Sequence, residues 1–109
     1  MKESKNFGPR CPIRTTMEML GGKWRLLIIN AIGKESKRYG ELRKDIPEIS
    51  EKMLTQELKS LVDNDLVIRK NYGEVPPRVD YSLTEKGFKA YDLMKPISEF
   101  GIYYMNNMD

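Results

Sequence analysis

The sequence predicts a small α+β domain that is mostly helical, and three observations carry this prediction. Residues 50–64 repeat apolar side chains at the spacing of a buried helical stripe. Residues 24–32 are apolar around most of a helix, which is typical of a central core helix. Two runs of β-forming residues, 66–70 and 78–83, flank a segment rich in turn residues. A chain of 109 residues is long enough for one such domain, predicted here over residues 11–109.

The composition argues against several classes of protein. The chain has no run of about 18 apolar residues, and its first ten residues lack the apolar centre of a secretion signal, so we expect a cytoplasmic protein. It has no histidine, which removes the commonest general base and metal ligand. Neither a nucleophile–base pair nor a phosphate-binding glycine loop is visible. We therefore expect no enzyme activity, no metal and no cofactor.

The net charge of +3 is unevenly distributed along the chain. Residues 1–46 hold eleven Lys and Arg against five Asp and Glu, whereas the acidic residues outnumber the basic ones over 47–83 and over 84–109. A basic N-terminal half favours an anionic partner, although such an excess is more often a solvated surface.

The N-terminal part is predicted to contain two helices. Residues 1–10 read as a flexible polar arm. Pro12 suits the first position of a helix, which the glycine pair after Leu20 should end. Residues 24–32 form the core helix, and Gly33 ends it.

A helix-turn-helix pattern follows at about residues 38–64. Residues 34–44 combine a charged turn with the start of a short third helix, whose inward side chains are Tyr39, Leu42 and Ile46. Ser50 suits the N-cap of the helix over 50–64. The outer face of that helix is short and polar, and it carries Lys52, Thr55, Gln56 and Lys59. Such a face is suited to the major groove of DNA, and it is equally typical of an ordinary surface helix.

The hairpin after this helix is predicted to be a wing over about residues 66–83. Its basic side chains are suited to phosphates or to a minor groove, and they are Arg69, Lys70 and Arg78. A plain hairpin with solvent-facing charges is the competing interpretation. The order helix, helix, hairpin favours the wing.

The C-terminal segment, about residues 84–107, is predicted to form helices that dimerise. Thr84 suits an N-cap, and Pro96 kinks the helix or begins a new one. Exposed aromatic side chains on a terminal helix would be a liability, so the helix should pack either on its own domain or on a second subunit. The second subunit is favoured, because the other helices already close the domain. The expected interface residues are Ile97, Phe100, Tyr104 and Met108.

The chain resembles the HxlR-type branch of the bacterial winged helix-turn-helix regulators, relatives of the MarR-like proteins. The matching motifs stand in order within about residues 11–105: CPI at 11–13, GGKW with LLI at 21–28, ISEKMLTQEL at 49–58, LV with Arg at 66–69, and VPPRVDYSLTEKG at 75–87. The resemblance implies a dimeric DNA-binding transcriptional regulator, with dimerisation through the terminal helices. It also implies a recognition helix at 50–64 and a wing of two or three strands around 69–78.

From this we expect a homodimer that places two recognition helices in successive major grooves of double-stranded DNA, acting as a repressor. Ser50 and the outer-face residues of that helix would contact bases and phosphates, while Arg38 and Tyr39 would contact the backbone. The alternative is a winged-helix module that binds protein without specific DNA binding. An effector, whether a small molecule or an oxidant, is left open.

Three positions carry further expectations. Cys11, the single cysteine, lies beside Arg10 at a helix N-terminus, where a thiolate is favoured; it is either a redox sensor, as the matching cysteine is in some family members, or a structural residue. Asp65 stands where the family usually has Gly, and we expect the turn to survive because Asp tolerates left-handed backbone. Phe100 stands where the family often has Trp, which changes interface packing.

Overall fold

The computed structural model describes residues 8–108, which contain six helices and three strands. Most of the arm predicted at 1–10 therefore lies outside the described residues. The elements in chain order are α1 (Pro12–Leu20), α2 (Arg25–Ile32), β1 (Lys37–Arg38), α3 (Tyr39–Asp45), α4 (Glu51–Asp63), β2 (Val67–Asn71), β3 (Val79–Leu83), α5 (Glu85–Tyr91) and α6 (Met94–Asn106). In the part of the chain that is described, no helix is long and apolar enough to cross a membrane.

The helix ends follow the local signals in the sequence. Cys11 is the N-cap residue of α1, and the N–H of Gly21 closes that helix on the carbonyl of Met17 at 2.8 Å. Trp24 lies one position outside α2 as its N-cap residue. Gly33 ends α2 with φ of +60°, a conformation that glycine adopts without strain.

The two predicted hydroxyl caps are present. Ser50 Oγ accepts a hydrogen bond from the backbone N–H of Met53 at 3.1 Å, and Thr84 Oγ1 accepts one from Gly87 at 3.0 Å. Each satisfies a backbone donor that has no partner inside the helix, which typically stabilises a helix by about 1 kcal/mol.

The sheet is antiparallel, with β3 in the centre and the order β1-β3-β2. Lys37 of β1 pairs with Tyr81, and Val67 of β2 pairs with Leu83. Within residues 34–44, predicted as a charged turn and the start of a helix, residues 37–38 form a strand that the sequence pattern does not reveal. Two residues show no periodicity of their own, and this strand exists only because β3 offers it an edge to pair with.

The core lies between α2, α4 and the sheet. The predicted stripe of α4 is confirmed: Leu54, Leu58 and Leu61 are buried against Ile28 and Ile29 of α2 in one cluster. Burial along β2 does not show the alternation of a strand with one buried face, since only its first residue is buried and the others are exposed on a sheet edge.

The turn between α4 and β2 survives without glycine. Asp65 takes φ of +60°, as expected from its tolerance of left-handed backbone. The following residue, Leu66, donates its N–H to the carbonyl of Leu61 at 2.9 Å, which closes the helix end. The start of the wing is therefore held directly against the end of α4.

Candidate nucleic-acid interface

The polar face of α4 is open to solvent along its length. Its opposite face is buried in the core, so the helix cannot turn without exposing three leucines. The four side chains that the sequence pattern predicts for the outer face are all exposed: Lys52, Thr55, Gln56 and Lys59. A helix held in this way presents a fixed row of donors and acceptors at the surface, which is what a groove-reading helix needs.

Tyr39 connects the two helices of the helix-turn-helix. Its hydroxyl lies 3.2 Å from the carbonyl of Glu51, to which it donates, and 3.2 Å from Thr55 Oγ1. The ring is half-buried against the core. These contacts fix the orientation of α3 relative to the first turn of α4, and they hold the Thr55 hydroxyl in place.

The carboxylates of α4 are each drawn to a basic partner. Glu57 Oε2 lies 2.8 Å from Arg25 Nε, with both side chains about four-fifths buried. Glu51 Oε1 lies 3.0 Å from Arg43 Nη1. Asp63 lies 2.9 Å from Lys59 Nζ, so part of the charge of that lysine is already neutralised. Because Glu51 and Glu57 are each paired with an arginine, they repel a phosphate less than unpaired carboxylates would.

Arg25 is a supporting residue that the sequence pattern does not reveal. Besides its ion pair with Glu57, its Nη1 donates to the carbonyls of Glu18 at 2.9 Å and Met19 at 3.1 Å. One guanidinium thus joins the end of α1 to α4. The separation of 32 positions between Arg25 and Glu57 leaves no local signal by which to find it.

The wing and α4 enclose a groove of about 250 Å³. Lys59 and Thr55 line it from the helix, Arg69 and Tyr81 from the sheet, and the side chains of Leu58 and Val62 form its floor. Two of the predicted helix contacts and one predicted wing contact are thus brought to one concave surface. This surface joins α4 to the wing.

A buried carboxylate organises the basic residues of the wing. Asp80 of β3 is 5% exposed and lies 3.3 Å from Arg78 Nη2 and 4.0 Å from Arg38 Nε. The hydroxyl of Tyr72 donates to Asp80 Oδ2 at 3.3 Å. Both arginines are among the residues predicted from the sequence, whereas Asp80 and Tyr72 are not. Asp80 is missed because a charged residue in an alternating strand is ordinarily assigned to the solvent face.

The protonation of this cluster follows from its contacts. The hydrogen bond from Arg78 is the largest influence that holds the pKa of Asp80 below its ordinary value, while desolvation by burial opposes it. The same hydrogen bond raises the pKa of Arg78. Asp80 is therefore ionised and Arg78 is charged at any pH at which the protein would work.

The ring of Tyr72 contacts two of the basic groups of the wing. Lys70 Nζ lies 4.6 Å from the ring centroid and Arg78 Cζ lies 4.4 Å from it. Both distances are in the range of cation–π attraction. Lys70 and Arg78 are thus held around one aromatic ring, at the end of the hairpin.

Cys11 is buried, with 5% of its surface exposed, and its side chain makes no capping hydrogen bond to α1. Its backbone N–H donates to the carbonyl of Gly8 at 3.0 Å, which folds the preceding residues across the helix start. The position beside a helix N-terminus is as expected, whereas the burial is that of a small apolar residue.

No described residue of α6 is buried, although the helix is rich in apolar side chains. The four expected interface residues, Ile97, Phe100, Tyr104 and Met108, are between 45% and 66% exposed. The rings of Phe100 and Tyr104 lie 6.3 Å apart on this surface. Packing of α6 onto its own domain, one of the two arrangements open from the sequence, is therefore not observed.

Comparison with known proteins adds direct evidence of kinship. The family model described as HxlR-like helix-turn-helix matches residues 19–109. A protein of Fusobacterium mortiferum named as regulatory protein MalR is 43% identical over 93 residues, 84% of this chain and 88% of its own length. A solved structure from Porphyromonas gingivalis W83, named as a MarR-family transcriptional regulator, is 47% identical with a TM-score of 0.85, covering 99% of this chain and 100% of that one.

A third relative is the redox regulator HypR in its reduced form, 35% identical with a TM-score of 0.79, over 84% of this chain and 91% of that chain. The matches confirm both the winged-helix architecture and the family inferred from the sequence motifs. They also place the chain among transcriptional regulators and not among enzymes. The chain belongs to the HxlR family of helix-turn-helix, DNA-binding transcriptional regulators.

Proposed function

We propose that this protein is a sequence-specific repressor that binds DNA as a homodimer, with one α4 helix of each subunit in successive major grooves. The observation that carries the proposal is the outer face of α4. Its exposed polar residues stand on a helix whose other face is locked in the core, beside a wing that carries basic side chains. Recognition helices in this class of protein require that combination.

Within this proposal the residues divide into readers and anchors. Gln56 is the candidate reader of a base, because its amide can both donate to and accept from adenine. Thr55, held by Tyr39, is a second reader. The anchors contact phosphates or enter the minor groove; they are Ser50, Lys52, Lys59, Arg38, Tyr39, Arg69, Lys70 and Arg78.

The homodimer part of the proposal is supported by the exposed apolar face of α6. A contiguous apolar surface of this kind marks an interaction site on a soluble protein. A second copy of the same helix is the simplest occupant, because a two-fold interface is self-complementary. Repression follows as the simplest mode, since a dimer of this size has little surface left to recruit polymerase.

The test is a fluorescence-anisotropy titration against DNA from upstream of the gene and its neighbours, with random DNA as reference, at two salt concentrations. Steep loss of affinity with salt reports phosphate contacts, and preference over random DNA reports base reading. Gln56→Ala should reduce that preference about tenfold or more while changing random-DNA binding little. Asn30→Ala, an exposed amide on α2, is the matched control.

Two results would contradict the proposal. If Gln56→Ala weakens specific and random binding equally, Gln56 is not a reader of sequence. If the wild-type protein shows no preference over random DNA at low salt, the function moves to the alternative, a winged-helix module that binds a protein partner.

A second candidate property is a thiol response through Cys11, favoured by the similarity to a protein named as a redox regulator. A single cysteine would have to join two subunits or capture a small thiol. Because Cys11 is buried, reaction requires a local movement that exposes its thiol. Diamide treatment with Cys11→Ser as control tests this, and DNA binding that is unchanged while Cys11 is demonstrably modified would end the idea.

A further inference from the structure

We propose that Asp80 is a positioning residue of the DNA interface: it holds the Arg78 guanidinium group by hydrogen bonds and attracts that of Arg38 at 4.0 Å, so that the wing contributes selectivity as well as attraction. The inference rests on the proposed DNA-binding function. It assigns a role to a residue that touches no DNA itself, and it starts from the position of Asp80 in the sheet.

Asp80 faces basic residues across both of its neighbouring strands. In the sheet register it lies opposite Arg38 of β1 on one side and opposite Lys70 of β2 on the other. Opposite charges at such paired positions attract one another across the strands. Arg78 lies two residues before Asp80, just outside the start of β3, and its guanidinium completes the set at 3.3 Å from the carboxylate.

Burial of this carboxylate needs a reason beyond the stability of the sheet. A charge removed from water costs several kcal/mol unless it is paired and hydrogen-bonded, and an apolar or hydroxyl residue would occupy a strand at less cost. The oxygen atoms of Asp80 are satisfied by Arg78, whose Nε and Nη2 lie at 3.5 and 3.3 Å, and by Tyr72 at 3.3 Å. The contacts therefore orient the guanidinium as well as compensating the charge.

Asp80 therefore lowers the affinity of the wing for DNA in general and raises its selectivity for the specific site. The negative charge of Asp80 reduces the attraction of the wing for any DNA, since it offsets part of the charge of two arginines. In return it orders side chains that would otherwise lose rotamer freedom on binding. Removing the carboxylate should therefore leave random-DNA binding equal or stronger, while the preference for the specific site falls.

Asp80→Asn is the direct test, because asparagine keeps the size of the side chain and removes only the charge. We expect the ratio of specific to random affinity to fall about tenfold, the loss of one well-placed contact. We also expect the salt dependence of random binding to steepen by up to about one charge. Asp92→Asn at the end of α5 makes the same change in net charge and should leave the ratio unchanged.

Arg78→Lys tests the same idea if the Asp80 variant does not fold. It keeps the positive charge but removes the fork of donors that the carboxylate holds. The expected result is again a fall in selectivity of about tenfold, now with an unchanged salt dependence. Thermal unfolding of each variant shows whether the hairpin has been disturbed.

The outcomes separate the two proposals. A wild-type protein without selectivity overturns the DNA-binding function and the role of Asp80 together. A selective wild type with an unchanged ratio in Asp80→Asn overturns only the role of Asp80. Equal losses on specific and random DNA would show that Asp80 serves merely to keep the wing folded, and this too would overturn the inference.

Discussion

Gly87→Ala is a substitution for which local and tertiary reasoning predict opposite signs. Gly87 is the third residue of α5, and alanine is favoured over glycine inside a helix by up to about 1 kcal/mol. Helix propensity alone therefore predicts a more stable protein. The surroundings of Gly87 predict the reverse.

A Cβ atom at position 87 would lie 2.1 Å from the carbonyl oxygen of Leu66 and 3.1 Å from Cβ of Leu83. The first atom belongs to the backbone, so it cannot rotate away as a flexible side chain would. That same carbonyl accepts the N–H of Thr84 at 3.1 Å, and Thr84 in turn caps α5. Moving the helix away from the turn by roughly 1 Å would strain both contacts.

The magnitude follows from three contributions. Overpacking of a buried site costs about 1–3 kcal/mol, and a weakened hydrogen bond and cap together cost about 1 kcal/mol more. The gain in helix propensity offsets up to about 1 kcal/mol of this. The net expectation is a loss of about 2 kcal/mol, which lowers Tm by roughly 10 °C for a domain of this size.

The assay is thermal unfolding by circular dichroism at one fixed protein concentration, because association would otherwise shift Tm. The matched control is Gly40→Ala in α3, where a Cβ atom would meet no other atom within 4 Å. That substitution should stabilise the protein by about 0.5 kcal/mol. If Gly87→Ala and Gly40→Ala are equally stable, α5 does not pack as closely against the Leu66 carbonyl as the structure shows.

Three further predictions concern the ion pairs and α6. Arg25→Ala should lower the free energy of unfolding in urea by about 2 kcal/mol, because it removes charge-assisted hydrogen bonds to Glu57 and to two carbonyls. Glu57→Gln should lower it by less. A larger loss in Glu57→Gln than in Arg25→Ala would contradict this role for Arg25. The folded-state pKa of Asp80 is lowered, so its stabilisation is present above the ordinary pKa of an aspartate and is lost as the pH falls through the lower folded value. The difference in unfolding free energy between wild type and Asp80→Asn should therefore be constant at neutral pH and shrink below about pH 4, and a difference that shrinks already near pH 7 would refute this. Phe100→Glu should convert the dimer to a folded monomer in sedimentation velocity, because it places a charge on the exposed apolar face of α6. The control Glu99→Gln, on the same helix, should remain a dimer. If Phe100→Glu also remains a dimer, α6 is not part of the interface.

The sequence alone determined the helices and their ends, because these depend on residues close together in the chain. Ser50 and Thr84 cap the helices that follow them, and the leucines of α4 recur at the period of one buried face. The exposed face of α4 follows from the same period. Four of the candidate reading and anchoring residues are thus identified by sequence periodicity alone.

Only the tertiary structure decided which of the charged residues support the interface. Three features depend on contacts between residues far apart in sequence: the strand at 37–38, the ion pair of Arg25 with Glu57, and the burial of Asp80. A charged side chain has no periodicity that distinguishes a solvated position from a paired, buried one. Its state depends on the elements that pack around it, and those contacts are formed only when the chain has folded.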